Sequence, residues 1–248
     1  MINIVYPYCK RKSKWNELEY SIKSVRKYLK EEHKIWVIGE NTPDPAIADI
    51  VFFFREDQKN YHTERNNGEI LEFCCQVFKN EEFIWFNDDI YLLKDTTVNN
   101  IKSSNRKPLC DMKSYKTRGG TRWQHLLWKT NDKLVFEAGV HPVYNFSTHT
   151  PYLYESDKMS WLSQRLPIFE GKVLSEMCYF NWFNVYEKDI CNKDIIEFMD
   201  EKAGFYNWKD VQTIEQIKKA MHGKRYLNHD DNGLTSQLKS TISELFKD

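Results

Sequence analysis

Apolar residues in the first hundred positions come in short unbroken runs, and between these runs they recur every three or four residues. Ile2-Asn3-Ile4-Val5-Tyr6 reads as a buried strand ended by Pro7, and Leu18, Ile22, Val25 and Leu29 place a helix over 15–29. A second strand, Lys34 to Ile38 (KIWVI), is closed by Gly39 and followed by a loop from Glu40 to Pro45, where two prolines forbid helix. Ile50 to Phe54 gives a third strand. Ile70, Leu71, Cys74, Cys75 and Phe78 mark a helix over 67–78, and Phe83 to Phe86 (FIWF) forms a fourth strand directly before Asn87-Asp88-Asp89. This alternation predicts an α/β fold on a mostly parallel central sheet flanked by helices. Ligands in such sheets bind beyond the carboxyl ends of strands, which is where the acidic triplet falls.

The second half is less regular. Arg106 to Arg122, basic and containing Gly119-Gly120, reads as a mobile loop, and 123–136 as a helix. His141 to Tyr152 alternates apolar and polar residues beside two prolines; short helices are expected over 159–166, 173–186 and 211–221, and a closing helix over 235–246 carries Leu238, Ile242 and Leu245 on one face.

Composition narrows the class. A chain of 248 residues with 41% hydrophobic and 15% aromatic content can bury one sizeable core, or one core with a small lobe. Its 36 basic and 36 acidic residues balance, so no global field draws it to polyanions or acidic membranes. The six cysteines include no CxxC pair, which fits free thiols in a reducing compartment better than a disulfide framework or a zinc site. The N-terminal apolar run is too short for a signal peptide, and nothing approaches the ~20 apolar residues of a membrane span. A soluble, cytoplasmic protein is expected.

Asn87-Asp88-Asp89 lies between two apolar strand-like runs, FIWF and Ile90-Tyr91-Leu92-Leu93. Two carboxylates and an amide carbonyl at a strand edge supply the hard oxygen ligands that Mg²⁺ or Mn²⁺ prefers, and such a metal would bridge the diphosphate of a nucleotide-sugar. The alternative is a turn in which the same residues satisfy local backbone groups. Lys113, Lys116, Arg118 and Arg122 around Gly119-Gly120 suit a lid over phosphates, or a solvated basic loop. Trp123, Trp128, Trp161 and Trp182 could offer sugar-stacking faces, though most such residues are core.

Glu17-Leu18-Glu19-Tyr20-Ser21-Ile22-Lys23-Ser24-Val25, then Ile35-Trp36-Val37-Ile38-Gly39, then Phe83 to Asp89, resembles the second conserved region of the Stealth family. His149-Thr150-Pro151-Tyr152 with Lys158 resembles the third region, and Leu227-Asn228-His229-Asp230-Asp231 before the closing helix the fourth. That family resembles GT-A glycosyltransferases and includes capsular-polysaccharide sugar-phosphate transferases; small phage and mobile-element glycosyltransferase-like proteins share a compact version. The resemblance implies a single GT-A-like domain over 1–248, with a nucleotide-binding half (1–105) and an acceptor and closing half (106–248). It implies Asp89 as principal metal ligand with Asp88 and Asn87 in support. His149 then serves as third ligand, general base or diphosphate donor, or is a histidine satisfied by backbone. Asp230 and Asp231 close the site, or form a turn and cap before the last helix. Tyr6, Tyr8 and Arg11 lie where GT-A proteins hold the nucleotide base, and Glu40 and Asn41 where ribose or base would bind, while core aromatics would look the same. Lys158 joins this donor-binding set. The chain departs from the family in having Lys23 for an arginine and Glu176-Met177 for an Arg-Ser pair, which favours plain glycosyl transfer over sugar-phosphate transfer.

The expected activity is metal-dependent glycosyl transfer from a nucleotide-diphospho-sugar, a UDP-sugar first among them, to an acceptor glycan or to a modified base in DNA. The competing readings are a sugar-1-phosphate transferase making polysaccharide, a phage DNA glycosyltransferase acting on hydroxymethylated pyrimidine, and a non-catalytic sugar- or nucleotide-binding protein. A nucleotidyltransferase fits less well, because Pro7-Tyr8-Cys9-Lys10-Arg11 lacks the glycines wanted after the first strand.

Overall fold

The computed structural model describes residues 1–9, 12–40, 45–54, 63–101, 104–105, 120–186, 196–197, 201–207 and 213–247. The early apolar runs form strands β1 (Ile2–Cys9), β2 (His33–Glu40), β3 (Ile50–Phe53) and β4 (Glu82–Trp85). Later come β5 (Ile90–Leu92), β6 (Ser104–Asn105), β7 (Tyr152–Glu155), β8 (Ile196–Glu197), β9 (Lys202–Phe205) and β10 (Tyr226–His229). The helices are α1 (Glu17–Tyr28), α2 (Thr63–Val77), α3 (Arg122–Asp132), α4 (Ser156–Ser163), α5 (Ser175–Phe180), α6 (Ile214–Met221) and α7 (Ser236–Leu245).

The central sheet has the order β3-β2-β1-β4-β7, parallel except for β7. Strand alternation sends Ile4, Tyr6, Ile35 and Val37 to the face covered by Leu18, Ile22 and Val25 of α1. Val5, Ile38, Phe83 and Trp85 go to the other face, against Ile70, Leu71, Cys74 and Cys75 of α2. A second, small sheet, β5-β10-β9, packs Tyr91, Phe205 and Leu227 against Ile217 of α6 and Leu238 and Ile242 of α7. Because β1 lies between β2 and β4, the strand order reverses there, and a crevice opens beyond the carboxyl ends of β1 and β4. Among the described residues, no helix is long and apolar enough to cross a membrane.

Several sequence expectations are corrected. β1 does not stop at Pro7 but runs to Cys9. Val5 accepts from Phe86 N–H (2.8 Å), so Val5 and, two residues on, Pro7 face the β4 side; β4 has diverged by then, and the missing proline N–H leaves no ladder bond unmade. Nor does Gly39 end β2: it pairs within the strand opposite Tyr8. A Cβ at Gly39 would stand 1.8 Å from the Tyr8 carbonyl oxygen, so Gly39→Ala is expected to lower stability by about 3 kcal/mol, the upper end of overpacking costs. Urea unfolding checks this, and a cost below about 1 kcal/mol would contradict the register. The alternating segment 141–152 is mostly irregular, and His149 lies in it just before strand β7. The helices expected over 123–136 and 173–186 begin as α3 and α5 and continue as π-helical turns, Lys133–Glu137 and Asn181–Tyr186. β9 and β10 carry no alternation of their own in the sequence, because both faces of this small sheet are largely covered.

Candidate functional site

The acidic triplet forms the turn between β4 and β5, with Ile90 N–H donating to the Asn87 carbonyl (3.2 Å). Two serines on the buried face of α1 fix its far side. Ser21 Oγ donates to the Ile90 carbonyl, and Ser24 Oγ accepts from Leu92 N–H (2.9 Å). These are the serines of the motif Glu17 to Val25, so that motif serves to hold the turn. Asn87, Asp88 and Asp89 then line a cavity of about 200 Å³ at the β1/β4 crevice, together with Tyr8, Cys9, Lys12, Asn66 and His149. The first turn of α2 contributes Thr63, and Lys12 Nζ donates to its hydroxyl, so a cation stands beside a helix N-terminus at the edge of the cavity.

Asp88 and Asp89 are half-buried, and both line this cavity. Burial, with Glu17 and Asp231 nearby, pushes the Asp88 carboxyl up to about 6. Burial, with the Asp88 charge beside it, pushes Asp89 up to about 7, opposed by Asn228 and Lys202. Glu17 is itself buried and held by Ser13 Oγ (2.9 Å), Lys14 N–H (3.1 Å) and Trp15 N–H (2.7 Å). An unfolded chain ionises Asp89 near 4, whereas the folded one keeps the proton to about 7, so this group lowers stability as pH rises between those values. The neutral variant Asp89→Asn is accordingly expected to gain stability relative to the parent from pH 4.5 to 7.5, ligand-free, by urea unfolding. A difference independent of pH would refute the shift.

Two residues that sequence reasoning did not select complete the surroundings. Asn228 of β10 donates to the Asp89 carbonyl (3.1 Å). Its own Oδ1 and Asp89 Oδ1 are both buried without a hydrogen-bond partner. Lys202 of β9 is buried beside Asp89 and donates to the Thr148 carbonyl and the Tyr206 hydroxyl, which ties the His149 loop to the acidic turn. The sequence signals were slight: Asn228 lies inside the fourth resembling motif, and Lys202 is one lysine among many.

The selected residues divide. Tyr8, Asn87, Asp88, Asp89 and His149 meet at the cavity, and His149 adopts left-handed backbone (φ 50°), a conformation uncommon for a side-chain-bearing residue. Tyr6 is not at the cavity: it is fully buried, its hydroxyl 3.0 Å from Ser21 Oγ, because its strand position points it at α1. Lys158 is not there either. Antiparallel pairing puts Glu155 beside Glu82 at the start of β4, the far end of the sheet from Asn87, and Lys158 pairs with Glu155 there (2.5 Å). Asp230 Oδ1 accepts from Gly233 N–H (2.8 Å), the turn role, although the N-cap of α7 is Thr235. Asp231 is exposed, 3.9 Å from Lys14, on the rim. Glu40 ends β2 opposite Cys9. Arg11, Asn41, Lys113, Lys116 and Arg118 lie outside the described residues; Arg122 begins α3 and pairs with Glu64 (3.3 Å).

Among the described residues, no group of three or more His, Cys, Asp or Glu side chains gathers as a metal-ligand set, so His149 does not join Asp88 and Asp89 in one. The two carboxylates and the unpartnered oxygens of Asp89 and Asn228 still suit a hard cation that keeps waters and takes its remaining ligands from phosphate. A second cavity of about 250 Å³ adjoins the first, sharing Thr63, Asn67, Asn87 and His149 with it.

Sheet order and crevice together define a mixed α/β fold on a mostly parallel central sheet, with the acidic turn at its switch point. The chain is similar to the apo structure of WbbM, a bifunctional glycosyltransferase, with a TM-score of 0.58 and 8% identity over 100% of this chain. It spans 50% of that protein's solved chain, and at such identity the likeness establishes the fold alone. No protein-family model matches the sequence, and no curated protein matches it.

Proposed function

We propose that this protein transfers a glycosyl group from a nucleotide-diphospho-sugar, using Mn²⁺ or Mg²⁺ bound together with the donor. The observation that carries the reading is the pair of half-buried carboxylates lining the cavity at the β1/β4 switch point, with an Asp89 oxygen, Oδ1, that is buried without a hydrogen-bond partner. Asp88 and Asp89 would hold the cation, with Asn228 Oδ1 beside them. When bound, such a cation neutralises charge on the departing diphosphate. Lys12 and the α2 N-terminus face the same anion from the other side. Tyr8, whose hydroxyl is kept protonated by burial and by the Asp88 and Glu17 charges, presents a neutral donor at the cavity wall. His149 stands where the two cavities meet and is the proposed contact to the scissile bond. Glu176, in the second cavity where the Stealth resemblance has a cation, favours transfer of the sugar alone over sugar-phosphate transfer.

A thermal-shift panel of UDP, GDP, CDP and their sugars, with and without Mn²⁺, tests the proposal. At a ligand concentration a hundred times Kd, the native state gains about 2.7 kcal/mol, which for a chain of this size raises Tm by about 5–10 °C. Because the described residues gather no three-ligand set, Mn²⁺ without nucleotide is expected to shift Tm much less than the two together. No shift with any nucleotide would remove the donor site.

A further inference from the structure

The second cavity is not needed to hold the donor, yet its walls are built. Trp85, Trp123, Tyr152 and Tyr154 line it, and Glu176 faces into it, braced by Ser175 Oγ (3.3 Å) and the Ser147 side chain. The Tyr154 hydroxyl is buried at that wall, with Ser175 nearby. Among the described lining residues, Glu64 and Glu176 are charged, and Glu64 is paired with Arg122 (3.3 Å). Among the described lining the Glu176 carboxylate disfavours an anionic acceptor, and a sugar ring offers apolar faces for the aromatic walls and hydroxyls for Tyr154 and Glu176.

Resting on the donor reading above, we propose that this cavity is the acceptor subsite for an uncharged sugar, with Trp123 and Tyr152 flanking the ring and Glu176 as the base. An acceptor hydroxyl oxygen forms a bond to the anomeric carbon of the donor sugar while the bond from that carbon to the diphosphate oxygen breaks. The nucleoside diphosphate leaves with that electron pair, and the hydroxyl proton passes to the Glu176 carboxylate. Burial raises the Glu176 carboxyl above the ordinary range, which makes its ionised form a better proton acceptor than an exposed glutamate. His149 and Asn87, common to both cavities, mark where the two substrates would touch.

Methyl glycosides of glucose, galactose, mannose and N-acetylglucosamine serve as acceptor probes, followed by saturation-transfer NMR at saturating Mn²⁺–UDP. Product formation from the matching UDP-sugars is measured in parallel. At least one glycoside is expected to bind the parent, to bind Trp123→Ala at least tenfold more weakly, and to recover with Trp123→Phe. Glu176→Gln is expected to bind the glycoside within about threefold of the parent while product formation falls at least a hundredfold, a split between kcat and KM that misfolding would not give. If Mn²⁺–UDP binds but no glycoside does, or if Trp123→Ala binds it undiminished or Glu176→Gln transfers at the parent rate, the acceptor proposal falls and the donor site stands. If a glycoside binds in a Trp123-dependent way while Mn²⁺–UDP does not bind, the cavity is a sugar site and the donor reading falls. Binding of neither overturns both.

Discussion

Asp89→Ala is expected to consume nucleotide-sugar about 10³-fold more slowly than the parent, the scale of losing one pre-placed electrostatic contact to a developing charge, about 4 kcal/mol. The reason is local. Asp89 Oδ1 has no hydrogen-bond partner, its neighbour Asp88 faces the same cavity, and the turn carrying both is pinned by Ser21 and Ser24. The loss should appear in release of nucleoside diphosphate measured with Mn²⁺. Asp230→Ala and Asp231→Asn provide the contrast: one carboxylate caps the Gly233 N–H and the other lies exposed on the rim, so each is expected to change the rate less than about threefold at a temperature where the variant is folded. Equal losses at Asp89 and Asp230 would mean that the effect came through the fold, and an undiminished rate for Asp89→Ala would end the assignment.

Lys202→Met is expected to destabilise the protein by about 1–3 kcal/mol, because the buried ammonium that favours the ionised Asp89 carboxyl is gone. Here the Thr148 carbonyl and the Tyr206 hydroxyl also lose their donor. A double-mutant cycle identifies the cause. In an Asp89→Asn background the cost of Lys202→Met should shrink by about 0.5–3 kcal/mol, since the carboxylate that the ammonium faced is gone. Urea unfolding of the four proteins gives the coupling directly. A coupling of zero would mean that Lys202 serves only the His149 loop and not the acidic turn.

Both predictions concern a site that was half legible before any coordinates. The parallel sheet was legible because the runs at Ile2, Lys34 and Phe83 put residues into the cores on both faces, the edge run at Ile50 is equally apolar, and the intervening helices carry an apolar stripe, patterns that local periodicity records. Asn87, Asp88 and Asp89 were legible for the same reason, since a polar triplet after a buried strand must lie at that strand's carboxyl end. Tyr6 and Tyr8, two residues apart on one strand face, look alike in sequence; the first is sealed under α1 and the second reaches the cavity, which depends on where the strand ends relative to its neighbours.

What sequence alone determined is therefore the alternation of elements and the placing of the acidic turn, both consequences of contacts between residues near one another in the chain. Only the tertiary structure decided that Asn228 and Lys202 stand against Asp89, that Lys158 lies at the opposite edge, and that Glu176 faces a cavity beside His149. Those relations join segments distant from one another in the chain or turn on the direction of one antiparallel strand, and neither composition nor spacing carries that information.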